Sequence, residues 1–315
     1  MLTPLLLFGL AGVGISLLTI AASRRVTRRW LSRSVAALAG GLLLIAAFVV
    51  GWAIFLASGD RSPETIALGS TVSYERIALG QPNRQVLHVA TADLDNACLS
   101  LVTSKPGPFG FIGAETGTEF VERTGAALAI NVAFFRGLDE YPLWDSYPET
   151  GEIVQAIGPV VIDGELLGDV YFGGDQALAI TDGQLSASER PAAADLAVRG
   201  RIPLVANGEV VAPDSRPYPR AVAGVDRDTN QLILVVSDGK QPGYATGSTY
   251  QGIAEFLVER GVDEALEFDG GGSATMAGII DGEVELLNRP SHQRIPGRQR
   301  HVATHLGIMI DPSCG

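Results

Sequence analysis

An α+β fold is predicted for this chain of 315 residues: a mixed, β-sheet-rich single domain with a few flanking helices, preceded by two transmembrane helices. Three observations predict it. Two uncharged apolar stretches open the chain, short apolar runs broken by Asp-Gly and Asn-Gly dipeptides fill the rest, and only two later segments have helical spacing.

The uncharged stretches run from Leu2 to Ser23 and from Ser34 to Gly59. Each is long enough to cross a hydrocarbon core, which takes about 20 apolar residues at helical rise. A buried helix of a soluble core is the bland alternative, but such a helix rarely runs so far without a polar stripe. Between the stretches lies RRVTRRWLSR, with Arg24, Arg25, Arg28, Arg29 and Arg33. The positive-inside rule makes that loop, 24–33, cytoplasmic. Helices are then expected over about 2–23 and 34–58, residues 1–59 form a membrane anchor, and the rest of the chain is exoplasmic. On this reading the protein is multi-pass in the cell membrane. A second reading makes the arginines the n-region of a late signal peptide cleaved near Ala57 or Ser58, against which the length of the apolar region counts. Both readings export the same domain.

Charge divides the chain at the same place. No acidic residue precedes Asp60, so residues 60–315 carry 18 Lys+Arg against 35 Asp+Glu, a formal −17. Such a domain repels nucleic acid and anionic headgroups. Any anion it binds needs a local cluster of cations or backbone N–H groups. Its length suits one sizeable domain or two tightly packed lobes. Cys98 and Cys314, the only cysteines, make no framework and no zinc motif, and Cys314 stands one residue from the end, which argues against a bond between them.

Residues 60–84 read as a linker and 85–315 as the folded domain. Within it, VVIDGEL (160–166), AITDGQL (179–185), LVANGEV (204–210) and IIDGEV (279–284) each place a two-residue turn between β-formers, so their acids and amide read as turn residues rather than catalysts. Helices are expected over Thr118–Thr124, capped by Thr116 or Thr118 and stopped by Gly125, and over about Thr249–Arg260, stopped by Gly261. DRDTNQ (226–231) resembles the start of a calcium loop but lacks its glycine and its closing glutamate, and a hairpin turn is the better reading.

Four segments break the hairpin rhythm. ALAINVAFF (127–135) buries one amide, Asn131, and an isolated buried Asn is more often structural than catalytic. RPYPRAVAGVD (216–226) puts Arg220 at the entrance of an apolar strand, where its planar fork suits a phosphate or carboxylate, although a surface arginine is the plain reading. LILVVSDGKQPG (232–243) ends a buried strand at Asp238 with no strand following. ALEFDGGGSATM (265–276) ends a strand at Asp269 and follows it with Gly270, Gly271, Gly272 and Ser273, a turn whose backbone can approach a ligand closely and form an N–H nest for an anion.

These segments in this order, with TGST at 246–249, NRP at 288–290 and HVATHLGI at 301–308, resemble the phosphodiester glycosidase family over roughly residues 84–311. The resemblance implies a hydrolase cleaving the C1–O bond of a sugar-1-phosphodiester in envelope or extracellular glycans, exopolysaccharide among them. It carries over Asp269, Asp238 and Arg220 as catalytic residues, and Asn131, Gly270, Gly271, Gly272, Ser273 and, more weakly, Thr275 as substrate-binding ones. No cofactor or metal is required on this reading, and a divalent cation at the aspartates stays open. Two departures stand out. The family usually has glycines where Val132 and Ala133 stand, a change expected to narrow or reshape the pocket, and a glutamate where Gly252 stands. The rival functions are a non-catalytic module that binds polysaccharide and a phosphodiesterase that cuts P–O.

Overall fold

The computed structural model of the protein describes residues 28–314 except 70, 82, 138–146, 159, 168–175 and 189–193. The chain divides into two compact units, one ending at Phe55 and one running from Leu56 to Gly315. Helix α1 (Arg28–Ala57) contains Ser34–Phe55, 22 residues of mean hydropathy 2.4 that are not buried. Among the described residues it is the one helix long and apolar enough to cross a membrane. It starts ahead of the expected boundary, so Arg28, Arg29 and Arg33 are helical rather than loop residues; arginine is a good helix former and does not stop the helix at the edge of the apolar run. The other expected span, Leu2–Ser23, lies outside the described residues, as do Arg24 and Arg25. One apolar helix is therefore described where two were expected.

The second unit is built from antiparallel strands. Its largest sheet runs in the order β1 (Glu64–Leu68), β2 (Val72–Leu79), β3 (Gln85–Asp93), β17 (Gln231–Ser237), β16 (Arg220–Asp226), β18 (Glu264–Glu267), β14 (Pro203–Ala206), β15 (Glu209–Val210). A five-stranded sheet follows the order β20 (Glu283–Leu286), β19 (Met276–Ile280), β6 (Leu128–Asn131), β21 (His305–Ile310), β4 (Leu99–Thr103). Another takes β10 (Glu165–Leu167), β9 (Val160–Ile162), β13 (Leu196–Arg199), β11 (Ala177–Thr181), β12 (Gln184–Ser188), and a small one takes β5 (Phe111–Gly113), β8 (Ile153–Ala156), β7 (Phe135–Gly137).

Residues 60–84 are not a linker. β1 and β2 pair with each other, and β2 pairs along its whole length with β3, because Leu68, Val72 and Tyr74 find core positions and are buried. The turn dipeptides behave as expected: Asp163-Gly164, Asp182-Gly183, Asn207-Gly208 and Asp281-Gly282 all take positive φ at both residues and close two-residue hairpins. Asp226 likewise serves a hairpin, accepting the N–H groups of Asp228 and Thr229 at 3.0 and 3.1 Å.

Alternation along β16 and β17 sets up two layers. Ala221, Ala223, Val225, Leu232, Leu234 and Val236 face Leu128, Ile130, Met276, Leu306 and Ile308 of the five-stranded sheet. Val222, Ile233 and Val235 face the other way, toward helix α3 (Tyr250–Val258) and its Ile253, Ala254 and Leu257. Helix α2 (Gly117–Thr124) begins with a capping box between Thr116 and Glu119 and ends on Gly125 in the left-handed conformation. α3 is capped by Thr249, whose Oγ1 accepts the Gly252 N–H at 3.0 Å.

Cys98 is disulfide-bonded, against expectation. Cys314 is the only other cysteine in the sequence. The chain end is brought there by β21, which pairs with β4, and by the Asp311 N–H, which donates to the Cys98 carbonyl at 2.8 Å.

Candidate functional site

Register places the candidate residues. β16 begins where its neighbours β17 and β18 end, with Arg220 opposite Ser237 and Val222 opposite Glu267. Arg220, Val222 and Glu267 therefore share the face covered by α3, and the acid-and-glycine loop leaves β18 beside them.

The loop 269–276 is held from two sides. Asn131 Nδ2 donates to the Asp269 carbonyl at 2.6 Å, and its Oδ1 accepts the Thr275 N–H at 3.0 Å. Asn288 Nδ2 donates to the Ala274 carbonyl at 3.0 Å, and its Oδ1 accepts the Met276 N–H at 2.8 Å. The Asp269 N–H donates to Val132 O at 2.9 Å. Each glycine answers a separate demand. A Cβ at Gly270 would meet the Pro219 carbonyl at 2.7 Å; Gly271 sits at φ +67° against the Tyr218 ring; a Cβ at Gly272 would meet the Arg300 guanidinium at 2.5 Å. The Gly271 N–H donates inward to Pro219 O at 2.9 Å.

Over this loop lies a cleft of about 400 Å³. Among the described residues five cations line it, Arg201, Arg216, Arg220, Lys240 and Arg300, with two acids, Glu267 and Asp269, and Phe134, Tyr147, Tyr218, Tyr250 and the three glycines. A domain of formal charge −17 thus concentrates positive charge in one place. A second cleft, of about 340 Å³, is walled by Leu94, Leu99, Leu101, Ile162, Ile180 and Leu196 and carries Asp163 and Asp195, with no cation among the described residues that line it.

Asp269 keeps part of its surface open to the cleft while protein packs around the rest. Burial raises its carboxyl to about 6, against the opposing pull of the Ser273 hydroxyl and the Arg300 charge. Arg300 Nη1 donates to Ser273 Oγ at 2.9 Å, its Nε donates to His292 Nδ1 at 3.2 Å, and its guanidinium lies 4.0 Å from the Tyr147 ring centre. Burial, helped by the Arg300 charge, pushes His292 down to about 4 and keeps it a neutral acceptor.

Arg220 is buried and braced. Nη1 donates to Glu267 Oε1 at 2.9 Å, Nη2 to Arg216 O at 3.2 Å and Nε to Ser248 O at 3.4 Å, and the guanidinium stacks 3.7 Å from the Tyr250 ring centre. Among the described residues these bonds use three of five N–H groups, leaving one on each terminal nitrogen. The Tyr250 hydroxyl donates to Glu267 Oε1 at 2.6 Å; burial, with that bond, pushes it up to about 12.

Asp238 is elsewhere. Its carboxylate is 1% exposed, does not line the cleft, and is enclosed by four partners: Tyr244 OH at 2.8 Å, Arg289 N–H at 2.9 Å, Asn288 Nδ2 at 3.0 Å and His88 Nε2 at 3.0 Å. Burial and the Asp238 charge push the Tyr244 hydroxyl well above its usual value. Through Asn288, Asp238 braces the far end of the glycine loop.

Of the residues expected at the site, then, Arg220, Asp269, Gly270, Gly271 and Gly272 line one cleft. Ser273 sits just behind, bridging to Arg300. Asn131, Thr275 and Asp238 are buried outside it. Val132 and Ala133 do not line the cleft: Val132 turns into the core, the Ala133 N–H donates to Thr304 Oγ1 at 3.0 Å, and it is Phe134 that reaches the cleft. Sequence reasoning missed Glu267, Arg201, Tyr218, Lys240 and Arg300. Glu267 had a signal: two residues before Asp269 on a strand, it shares that residue's side of the sheet. Arg300 had none, for it arrives from a distant irregular segment.

A family model for phosphodiester glycosidases matches residues 124–309. No curated protein matches the chain. Among the solved structures that are similar, three illustrate the likeness. One is a hypothetical protein from Synechocystis, at 14% identity, TM-score 0.53, covering 80% of this chain and 64% of that one. Another is the catalytic domain of zebrafish N-acetylglucosamine-1-phosphodiester alpha-N-acetylglucosaminidase auto-inhibited by its pro-peptide, at 20% identity, TM-score 0.53, covering 81% and 90%. A third, from Burkholderia pseudomallei K96243, has 15% identity and TM-score 0.52 over 73% and 75%. The chain thus spans under two thirds of the Synechocystis protein's length, and at these identities the likeness is one of fold.

Proposed function

This chain belongs to the phosphodiester glycosidase family, a family of hydrolases, and from that premise we propose that it cleaves the C1–O bond of a sugar-1-phosphodiester in envelope or extracellular glycans. The observation that carries the reading is Asp269, its carboxyl raised to about 6, in a cleft where, among the described residues, five cations outnumber two acids.

The departing group would be a phosphate monoester, whose second pKa is about 6, so it leaves far more readily than a sugar alkoxide. A cation that steadies it then matters more than a strong general acid, and one carboxylate at the anomeric centre suffices. Asp269 takes that role, as nucleophile or as base toward water. Arg220 offers its two remaining N–H groups to the phosphate as a fork, held rigid by Glu267 and Tyr250. Asn131, Thr275 and Asp238 act through the loop, keeping Asp269 and the glycines where a substrate needs them. Anchoring by α1 belongs to the same proposal: Ser34–Phe55 spans about 33 Å at helical rise, with arginines at its N-terminal end and the acidic domain outside. Protection of the domain from protease in intact spheroplasts would overturn that orientation.

The deciding experiment is hydrolysis of a sugar-1-phosphodiester in ¹⁸O-water by the full-length protein. Label is expected in the sugar. Label in the phosphate means P–O cleavage, and tight binding of sugar phosphates without turnover means a binding module; either ends the glycosidase reading. Arg220→Ala should worsen KM and kcat together, with kcat/KM down roughly 10²-fold, because the lost contact serves both bound substrate and departing phosphate.

A further inference from the structure

Glu267 is 2% exposed, yet only half of its carboxylate is used. Oε1 accepts from Arg220 and from Tyr250. Oε2 is buried and has no hydrogen-bond partner among the described residues; Arg201 Nε stands 3.9 Å away, too far for a hydrogen bond. Buried acceptors are nearly always satisfied, and an orphan that lines a cleft is an acceptor waiting for a ligand. A carboxylate held in an ion pair is an acceptor only. It therefore repels the phosphate and selects a neutral donor.

We propose that Glu267 Oε2 accepts a hydroxyl hydrogen of the sugar, so that Glu267 sets which sugar the cleft takes while the cations set the requirement for phosphate. The inference rests on the hydrolase reading above and assigns the sugar's place within that site. Arg220, bonded to Glu267 on one side, then links the two halves of the substrate: the same guanidinium braces the sugar's acceptor and meets the phosphate. Rejection comes from the same atom. A sugar without that hydroxyl leaves Oε2 buried and unpaired, which is how sites built around a substrate hydroxyl discriminate strongly.

The test uses the full chain and a panel of glucose and N-acetylglucosamine 1-phosphodiesters with their monodeoxy analogues. Binding of the matching 1-phosphates is measured in parallel by calorimetry. In the wild type, removal of one particular hydroxyl should cost about 10²-fold or more in kcat/KM and in affinity. In Glu267→Gln, which puts an amide donor where the acceptor stood, that penalty should vanish while the penalties at other hydroxyls persist. Tyr250→Phe, which disturbs Oε1 alone, should keep the wild-type pattern and shows that loss of packing is not the cause. A uniform loss across the panel in Glu267→Gln, or an unchanged pattern, overturns the inference and leaves the hydrolase reading intact. Selective binding that depends on Glu267 without any turnover upholds the inference and overturns the hydrolase reading. No binding and no turnover by the wild type overturns both.

Discussion

Two aspartates stand at the ends of adjacent regions of one sheet, and their surroundings are opposite. Asp238 immediately follows β17 with four partners on its carboxylate and almost no exposed surface. Asp269 stands two residues past the end of β18 with the Ser273 hydroxyl, an Arg300 charge and an open side facing a cationic cleft. Both sit before glycines in the sequence, and both look like site residues there. The difference teaches that a strand-end acid is made functional by what is left unpaired. A carboxylate with all its acceptor sites filled is a structural knot; one that burial has partly deprived of partners is reactive.

The largest expected effect breaks the pair apart by activity. Asp269→Asn should lower kcat by about 10³-fold or more while substrate binding largely survives. Should it retain near-wild-type turnover, Asp269 is not the group at the anomeric centre. Asp238→Ala should do the reverse. Emptying a buried, fully bonded carboxylate site should cost roughly 3–5 kcal/mol of stability, read as a fall in unfolding temperature of about 10 °C or more. The protein that remains folded should keep much of its kcat. A stable but inactive Asp238→Ala would return Asp238 to the chemistry.

The smallest effect is a pH dependence carried by Asp269. Its folded-state carboxyl is raised to about 6, above the usual carboxylate value of 3.8, so the folded state holds its proton longer than the unfolded chain. The contribution is fully present below about 4 and is lost as pH rises through about 6, of order 3 kcal/mol. The stability of the wild type minus that of Asp269→Asn, measured by urea unfolding, should fall across that window, since the opposing rise from His292, held neutral down to about 4, is common to both. Parallel curves would mean the carboxyl titrates normally. The activity of the wild type should rise through the same window as Asp269 ionises.

Much of the fold was legible in the sequence. Asp163-Gly164, Asp182-Gly183, Asn207-Gly208 and Asp281-Gly282 name their turns because few residues accept positive φ, and Thr116, Glu119 and Gly125 bound α2 by local hydrogen bonding. The linker reading failed at residues 60–84 because VSYERIAL has only a partial alternation, and its partner β3 decides that it is a strand. The cleft was half legible. Arg220, Asp269 and the glycines lie in two short segments with unusual local character, whereas Lys240 and Arg300 look like any surface cation until the chain folds.

By itself the sequence determined what depends on neighbours along the chain: the apolar helix, the hairpin turns, the helix caps, and the acid-and-glycine loop, whose conformation only glycine tolerates. Only the tertiary structure decided which of two similar aspartates is sealed and which is open. That choice rests on His88, Tyr244, Asn288 and Arg289 closing over Asp238, while Arg201, Lys240 and Arg300 gather around Asp269 and Glu267. These contacts join residues far apart in the chain, and charge and hydrogen bonding act through space, so no local pattern could announce them.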